Sequence, residues 1–217
     1  MHAGGLVLTI ALLAQAEDGR KTLQALADKH RDVRSLQAGY VQERRSALME
    51  KPLVSKGTLF WRREPGCVVF DVTEPRRSRI RLDATSYQVH RPDERQAERF
   101  QFASNELARS LFQVFAPEPA KLEEALRLES YEVEEGVGTL RLRPVAERLK
   151  AFLGSLSLAV RLADTTLVRV AYTDGEGDEV RIELSDLKRN PAIDPSVFEA
   201  RVPEGTRWIV HEVKDRK

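Results

Sequence analysis

Residues 54–72, VSKGTLFWRREPGCVVFDV, decide how this chain folds. Two runs of strand-forming residues flank Pro65-Gly66, the pattern of a β-hairpin. Side chains alternate along a strand, so Leu59 and Trp61 share one face of the first run. Val68, Phe70 and Val72 share one face of the second. Arg63 comes two positions after Trp61 and continues that apolar face. A cation there is either a rim residue, its stem on apolar surface and its head in water, or a polar handle at the mouth of a cavity.

The same alternation recurs outward from the hairpin. Strand patterns fall near 34–46, 54–63, 67–73, 78–83, 86–91, 97–102, 128–134, 138–143, 155–162, 166–173 and 178–187. In VRIEL, Val180, Ile182 and Leu184 alternate with Arg181 and Glu183, so one face of the sheet is expected to be wet. In PRRSRIR (Pro75 to Arg81), Ile80 lies between Arg79 and Arg81, which reads as a solvated strand face. The segment DGEGD between the last two strands is a hairpin turn. About eleven strands are too many for a flat sheet, and their twist curls them toward a barrel.

Helical spacing appears in two places. Before the first strand, Leu23, Leu26, Ala27, His30 and Val33 form an apolar stripe, with Asp18 placed to cap its start. His30 on that stripe reads as a satisfied core histidine. Between the sixth and seventh strands, Leu107, Leu111, Val114 and Phe115 form one amphipathic face. Pro117 and Pro119 interrupt it, and Leu122, Ala125 and Leu126 begin another helix. The fold class is therefore α+β, mainly antiparallel β. The expected architecture is an unclosed β-barrel of about eleven strands with a helical lid over an apolar space.

Composition narrows the function. The chain has 217 residues, 41% hydrophobic and 32% charged, with net charge +1. That balance is globular and lacks the concentrated basic field that nucleic-acid binding needs. The run LVLTIALLA (6–14) is too short to span a bilayer, and Ala14-Gln15-Ala16 follows it as a small-residue cleavage pattern. Residues 1–16 are expected to be a signal peptide, and 17–217 a single exported domain. The n-region MHAGG carries no Lys or Arg. The one cysteine, Cys67, has no partner for an internal disulfide and reads as a small core residue at a strand start.

Catalytic and metal-binding patterns do not emerge. The four histidines are scattered, without metal-ligand spacing. No nucleophile elbow, P-loop or dinucleotide fingerprint is present. DGEGDE (Asp174 to Glu179) gathers carboxylates but lacks the oxygen spacing of an EF-hand loop. Neither a cofactor nor a metal is expected, and the reading is non-enzymatic. His90 is the one histidine worth considering for a hydrolase acting inside the barrel.

Three blocks carry a family resemblance. They are LQAGYVQERR with GTLFWRR after it, PRRSRIRLDATSYQVHRP, and NPAIDPSVFEARVPEGTRWI. In this order and spacing the chain resembles the periplasmic outer-membrane lipoprotein carrier (LolA) family over nearly its whole mature length. The resemblance implies an unclosed barrel with a lid and an apolar cavity for lipoprotein acyl chains or a related lipid. It implies an inner-membrane lipoprotein-releasing transporter as donor and an outer-membrane acceptor, with the carrier monomeric and without nucleic acid. It also makes Arg63 a latch bonded to lid carbonyls, although Glu64 stands between Arg63 and Pro65, where the family has Arg directly before Pro. Leu59, Trp61, Arg63, Val68, Phe70, Val72 and Ile80, faced by Leu111 and Phe115 from the lid, are the expected ligand-binding set. The other function considered is a lipid- or lipoprotein-sensing regulator built on the same half-barrel. Cleavage is expected after Ala16; N-terminal sequencing of envelope-fraction protein should read Glu17 first, and cytosolic protein retaining Met1 would refute export.

Overall fold

The structure, a computed structural model, describes residues 4–102, 124–150 and 153–213. Among them are strands β1 (Ser35–Arg45), β2 (Leu53–Arg62), β3 (Cys67–Glu74), β4 (Ser78–Asp83), β5 (Ser86–Arg91) and β6 (Gln96–Phe102). Then follow β7 (Leu126–Glu134), β8 (Val137–Pro144), β9 (Leu153–Arg161), β10 (Thr166–Asp174), β11 (Glu179–Arg189) and β12 (Arg207–Val213). The described α-helices are α1 (Gly4–His30) and the single turn α2 (Glu147–Lys150), and Pro92–Glu94 and Pro195–Phe198 form short 3-10 helices. Hydrogen bonding joins the strands in the order β12-β6-β5-β4-β3-β2-β1-β11-β10-β9-β8-β7. The order ends at β12 and β7, so the sheet is not closed, as the sequence led us to expect.

Four details differ from expectation. A twelfth strand, β12, adds to the eleven and runs parallel to β6. Helix α1 runs unbroken from Gly4 through the apolar leader, so Asp18 lies inside it rather than at its start. The leader is rich in Leu and Ala, which favour helix, and no proline interrupts it. Val33 lies beyond the end of α1, not on its stripe. Leu126 opens β7 instead of continuing a helix. The anticipated lid positions Leu107, Leu111, Val114 and Phe115 lie outside the described residues; the described helix packed on the sheet is α1.

Contacts divide the chain into two compact units. One holds α1, α2, β7–β10 and the near ends of β1 and β11. Its core is a row of directly opposed residues, Tyr131, Leu140, Leu158, Val170 and Ile182, one from each of β7 to β11. All five are buried. Leu23, Leu26 and Ala27 of α1 are buried too, and α1 lies on β7 and β8. Gly19 makes this approach possible, since a Cβ there would meet Leu128 Cδ2 at 2.8 Å and Tyr131 Cβ at 2.9 Å. His30 is a satisfied core histidine whose Nδ1 donates to the Leu26 carbonyl, 2.8 Å away. In the β10–β11 turn, Asp174 Oδ1 accepts from the backbone of Glu176 and Asp178. Arg44 Nε donates to Asp178 Oδ2 at 2.9 Å. DGEGDE is thus a turn partly neutralised by an arginine.

The second unit holds β2–β6, β12 and the rest of β1 and β11. In β2–β3, Leu59 faces Phe70, Trp61 faces Val68 and Gly57 faces Val72. The interleaved residues Phe60, Val69 and Cys67 point to the opposite face, which is not wet. Phe198 packs on Cys67 and Val69 there, with Phe60, Ile193 and Val197 around them. The covering segment is pinned at one end by Asn190, whose Oδ1 accepts from Arg34 N at 2.6 Å. Further along, Arg81 Nε donates to the Phe198 carbonyl at 2.8 Å, and Gln88 Nε2 donates to the Ala200 carbonyl at 3.3 Å. Arg81 therefore supports this cover and is not on a solvated face, because a buried carbonyl needs its donor. Cys67 is wholly buried at the first position of β3, as expected.

Gly57 is the tightest point of the hairpin. A Cβ there would run into the Asp71 carbonyl oxygen and lie 2.9 Å from its carbonyl carbon. Neither atom can rotate away, unlike a side-chain tip. Gly57→Ala should cost about 3 kcal/mol through overpacking, measured by urea unfolding. A loss below about 0.5 kcal/mol would mean that the strands separate there without strain.

Candidate functional site

Direct opposition across four strands assembles one apolar surface in the second unit. One row is Leu59, Phe70, Ile80 and Val89, and the next is Trp61, Val68, Leu82 and Tyr87. Val72 and Leu82 extend the same face, since residues two apart point the same way. Leu59, Trp61, Val68 and Val72 are buried, at 2%, 2%, 1% and 6% exposure. Phe70 and Ile80 are half-buried. Phe70 and Ile80 are thus more open than Leu59 and Val89 on either side of them in the row. Tyr40 of β1 meets Phe70 edge to face, with ring centroids 5.2 Å apart. Burial pushes the Tyr40 phenol up to about 12, so it stays neutral.

Beyond β5 the face changes character. Val89 is followed across the sheet by Glu98, and Tyr87 by Phe100 and then His211. Phe100 and His211 stack with centroids 4.4 Å apart. Glu98 accepts from Arg91 and from Gln96 Nε2, and the Arg91 bond holds its carboxyl below the usual range. One continuous face therefore runs from aliphatic through aromatic to charged.

Arg63 lies just past the end of β2. Its backbone N donates to the Arg34 carbonyl at 2.8 Å, and its Nε donates to the Val33 carbonyl at 2.8 Å. The guanidinium carbon lies 5.6 Å from the centroid of the Trp61 ring. Arg63 is thus a carbonyl donor, and the carbonyls it holds include those of the segment leading into β1. Trp61 Nε1 is buried with no hydrogen-bond acceptor.

The structure brings together Leu59, Trp61, Val68, Phe70, Val72, Ile80 and Arg63, whereas Leu111 and Phe115 fall outside the described residues. Sequence reasoning missed Tyr40, Leu82, Tyr87 and Val89, although all lie on strands with plain alternation. His90 stands opposite Arg79, on the other face from Trp61, where burial and the Arg79 charge lower its basicity. It does not join the apolar surface. Among the described residues, no group of three or more His, Cys, Asp or Glu could hold a metal ion. No described helix is long and apolar enough to cross a membrane. The first unit contains a separate cavity of about 270 Å³, lined by Ala16, Arg20 and Leu23 of α1 with Leu126, Leu128 and Leu142.

The model of the outer membrane lipoprotein carrier protein LolA family matches residues 31–201. The chain belongs to this family. The matched region contains every strand of the apolar face. Among solved structures, a conserved protein of Thermus thermophilus covers 88% of this chain and 98% of its own length, at 11% identity and TM-score 0.51. The MucA/MucB complex of Pseudomonas aeruginosa covers 85% of this chain and 61% of its own, at 18% identity and TM-score 0.43. A LolA superfamily protein of Nitrosomonas europaea covers 81% and 96%, at 12% identity and TM-score 0.40. At 11% identity the likeness to the Thermus thermophilus protein is one of fold. Comparison with curated proteins finds no match.

Arg63→Leu should leave the LolA-family fold intact but remove a charge-assisted bond to Val33. The expected loss is about 2 kcal/mol, read by urea unfolding, with faster amide exchange at residues 33–35. Wild-type exchange rates in the mutant would show that Arg63 does not fasten this segment.

Proposed function

We propose that this protein is a periplasmic carrier. It shelters lipoprotein acyl chains, or those of a related lipid, on the apolar face of β2–β5 and moves them from the inner to the outer membrane. Leu59, Trp61, Val68, Phe70, Val72 and Ile80 form the binding surface, and Arg63 marks its end. The signal peptide delivers the chain across the inner membrane. Cargo comes from an inner-membrane lipoprotein-releasing transporter and passes to an outer-membrane acceptor, with the carrier acting as a monomer. The observation that carries this reading is the single face on which these side chains meet; family membership supports it.

The physics explains both need and design. Each buried methylene contributes about 0.8 kcal/mol, so one ordinary acyl chain represents roughly 10 kcal/mol. Such chains do not cross water unaided, yet a site giving back the full value would never release them. The centre of the face is closed to solvent, so loading exchanges protein cover for acyl chain. Net affinity is then a difference between two apolar contacts, which keeps it moderate. Arg63 tunes that balance through the carbonyls it holds. Binding and release involve no covalent step.

Phe70→Glu tests the reading at a half-buried position of the face, where a carboxylate can still hydrate. The variant should fold, with a cooperative urea transition, and lose uptake of a fluorescent fatty acid by at least tenfold. Val68→Glu, at a fully buried position, should unfold. Wild-type protein that takes up no acyl probe would overturn the carrier function.

A further inference from the structure

On the face of β2–β4 opposite Trp61, a cleft of about 550 Å³ opens beside the Phe198 segment, lined by Arg62, Arg81, Arg201, Glu199, Pro195 and Phe198. Its three arginines are differently occupied. Arg81 is committed to the fold, with Nε on the Phe198 carbonyl and Nη1 on Asp83. Arg201 is 87% exposed in its side chain and pairs with Glu199, Nε to Oε2 at 3.3 Å. Arg62 is half-buried, its guanidinium carbon 4.6 Å from the centroid of the Phe198 ring. Its Nε is closed to solvent and has no hydrogen-bond partner, and among the described residues no carboxylate pairs with it. Asp83 and Glu199 balance Arg81 and Arg201, so one positive charge in the cleft stays uncompensated. A partly desolvated cation without a counter-charge is unfavourable, and a buried donor without an acceptor calls for a reason. A leucine at position 62 would cover Phe198 without either cost.

We infer that this cleft binds the singly charged phosphate of a phosphate diester, with Arg62 as its anchor. The charge matches, since a diester carries one negative charge and the cleft has one positive charge to spare. The shape matches too. The guanidinium groups come from β2, from β4 and from the segment after Phe198, so their N–H groups reach an anion from separate directions. That suits the tetrahedral oxygens of a phosphate better than the planar pair of a carboxylate. Packing on the Phe198 ring holds the Arg62 fork in place, so little rotamer freedom is lost when it donates. Arg81 keeps Nη2 beyond its bonds to Phe198 and Asp83. The exposed Arg201–Glu199 pair is weak, and Arg201 can exchange its partner for phosphate. A soluble diester and the headgroup of a phospholipid present the same group. The site lies on the other side of the sheet from the acyl surface and does not depend on the carrier reading.

The test titrates the full chain, isotope-labelled at its arginine nitrogens, with dimethyl phosphate at constant ionic strength. The Nε–H resonance of Arg62, assigned by its loss in Arg62→Met, should move saturably. Acetate should bind about tenfold more weakly, as should the diester to Arg62→Met, read at Arg201. Arg201→Ala, at a solvated position where folding is not at stake, should weaken the diester about threefold. Glu199→Gln, which releases Arg201, should tighten it by about the same factor. No saturable shift, equal binding of acetate, or an affinity unchanged in both arginine variants overturns the inference and leaves the carrier function standing. Vesicles of phosphatidylglycerol separate the two sources. Co-sedimentation of the wild type but not of Arg62→Met assigns the phosphate to a lipid headgroup; saturation by dimethyl phosphate without co-sedimentation assigns it to a soluble diester.

Discussion

The pairing of Leu59 with Phe70 and of Trp61 with Val68 is the constraint on which the rest of the second unit depends. In most antiparallel strands one face is apolar and the other wet, so a slip by one residue is prevented by the pattern itself. Here both faces are apolar, and a slip would exchange Trp61 and Phe70 for Phe60 and Val69 at little cost in hydrophobicity. Other interactions must hold the register. Gly57 fits against the Asp71 carbonyl as no other residue can. Thr73 Oγ1 donates to the Lys56 carbonyl, and Arg79 draws Asp71 to the outer face at 3.0 Å. Arg63 N fixes the other end through the Arg34 carbonyl. With register set, every side chain of the apolar face follows by opposition across β4 and β5.

Much of this was legible in the sequence because alternation is local. Eleven strands and the inward set of β2–β4 could be read from period-two patterns alone. The second covered face was also signalled, by Leu59-Phe60-Trp61 and Cys67-Val68-Val69-Phe70, since unbroken apolar runs belong to strands buried on both sides. The identity of the cover was not legible. Phe198 lies more than a hundred residues away, and no local period links it to Val69. Strand β12 escaped for a related reason. Trp208, Ile209 and Val210 are strand formers, but a parallel pairing with β6 is chosen by tertiary contact rather than by a turn. The role of Arg63 was half visible. Its place on the face followed from spacing, whereas its acceptor, Val33, belongs to a segment read as helix.

The net charge of +1 conceals how firmly the charges are committed. Arg81 pairs with Asp83 and supports Phe198, while Arg62 lies over the Phe198 ring at 4.6 Å. Burial pushes the Asp83 carboxyl up, but bonds from Thr85 and Arg81 outweigh it and hold the group below its ordinary range. Arg81 of the basic run is therefore scaffolding for the Phe198 segment, while Arg76 and Arg77 of the same run are exposed.

The two faces of this hairpin are thus held by different forces, and the proposed carrier function depends on that difference. On the outer face, hydrogen bonds from Arg81 and Gln88 fix the 190–201 segment to particular carbonyls, and replacing that cover would strand buried polar groups. On the inner face the contacts among Leu59, Val68, Val72, Phe70 and Ile80 are non-directional, so one apolar neighbour can be exchanged for another with little change in free energy. Tyr40 against Phe70 and Arg63 at the margin restrict where the exchange occurs. The register-fixing bonds all lie outside the apolar surface, which allows the strands to stay rigid while what lies upon them changes. A sheet whose outer cover is held by directed hydrogen bonds, and whose inner face is mostly apolar with Arg63 bonded at its margin, can exchange inner neighbours without giving up its fold.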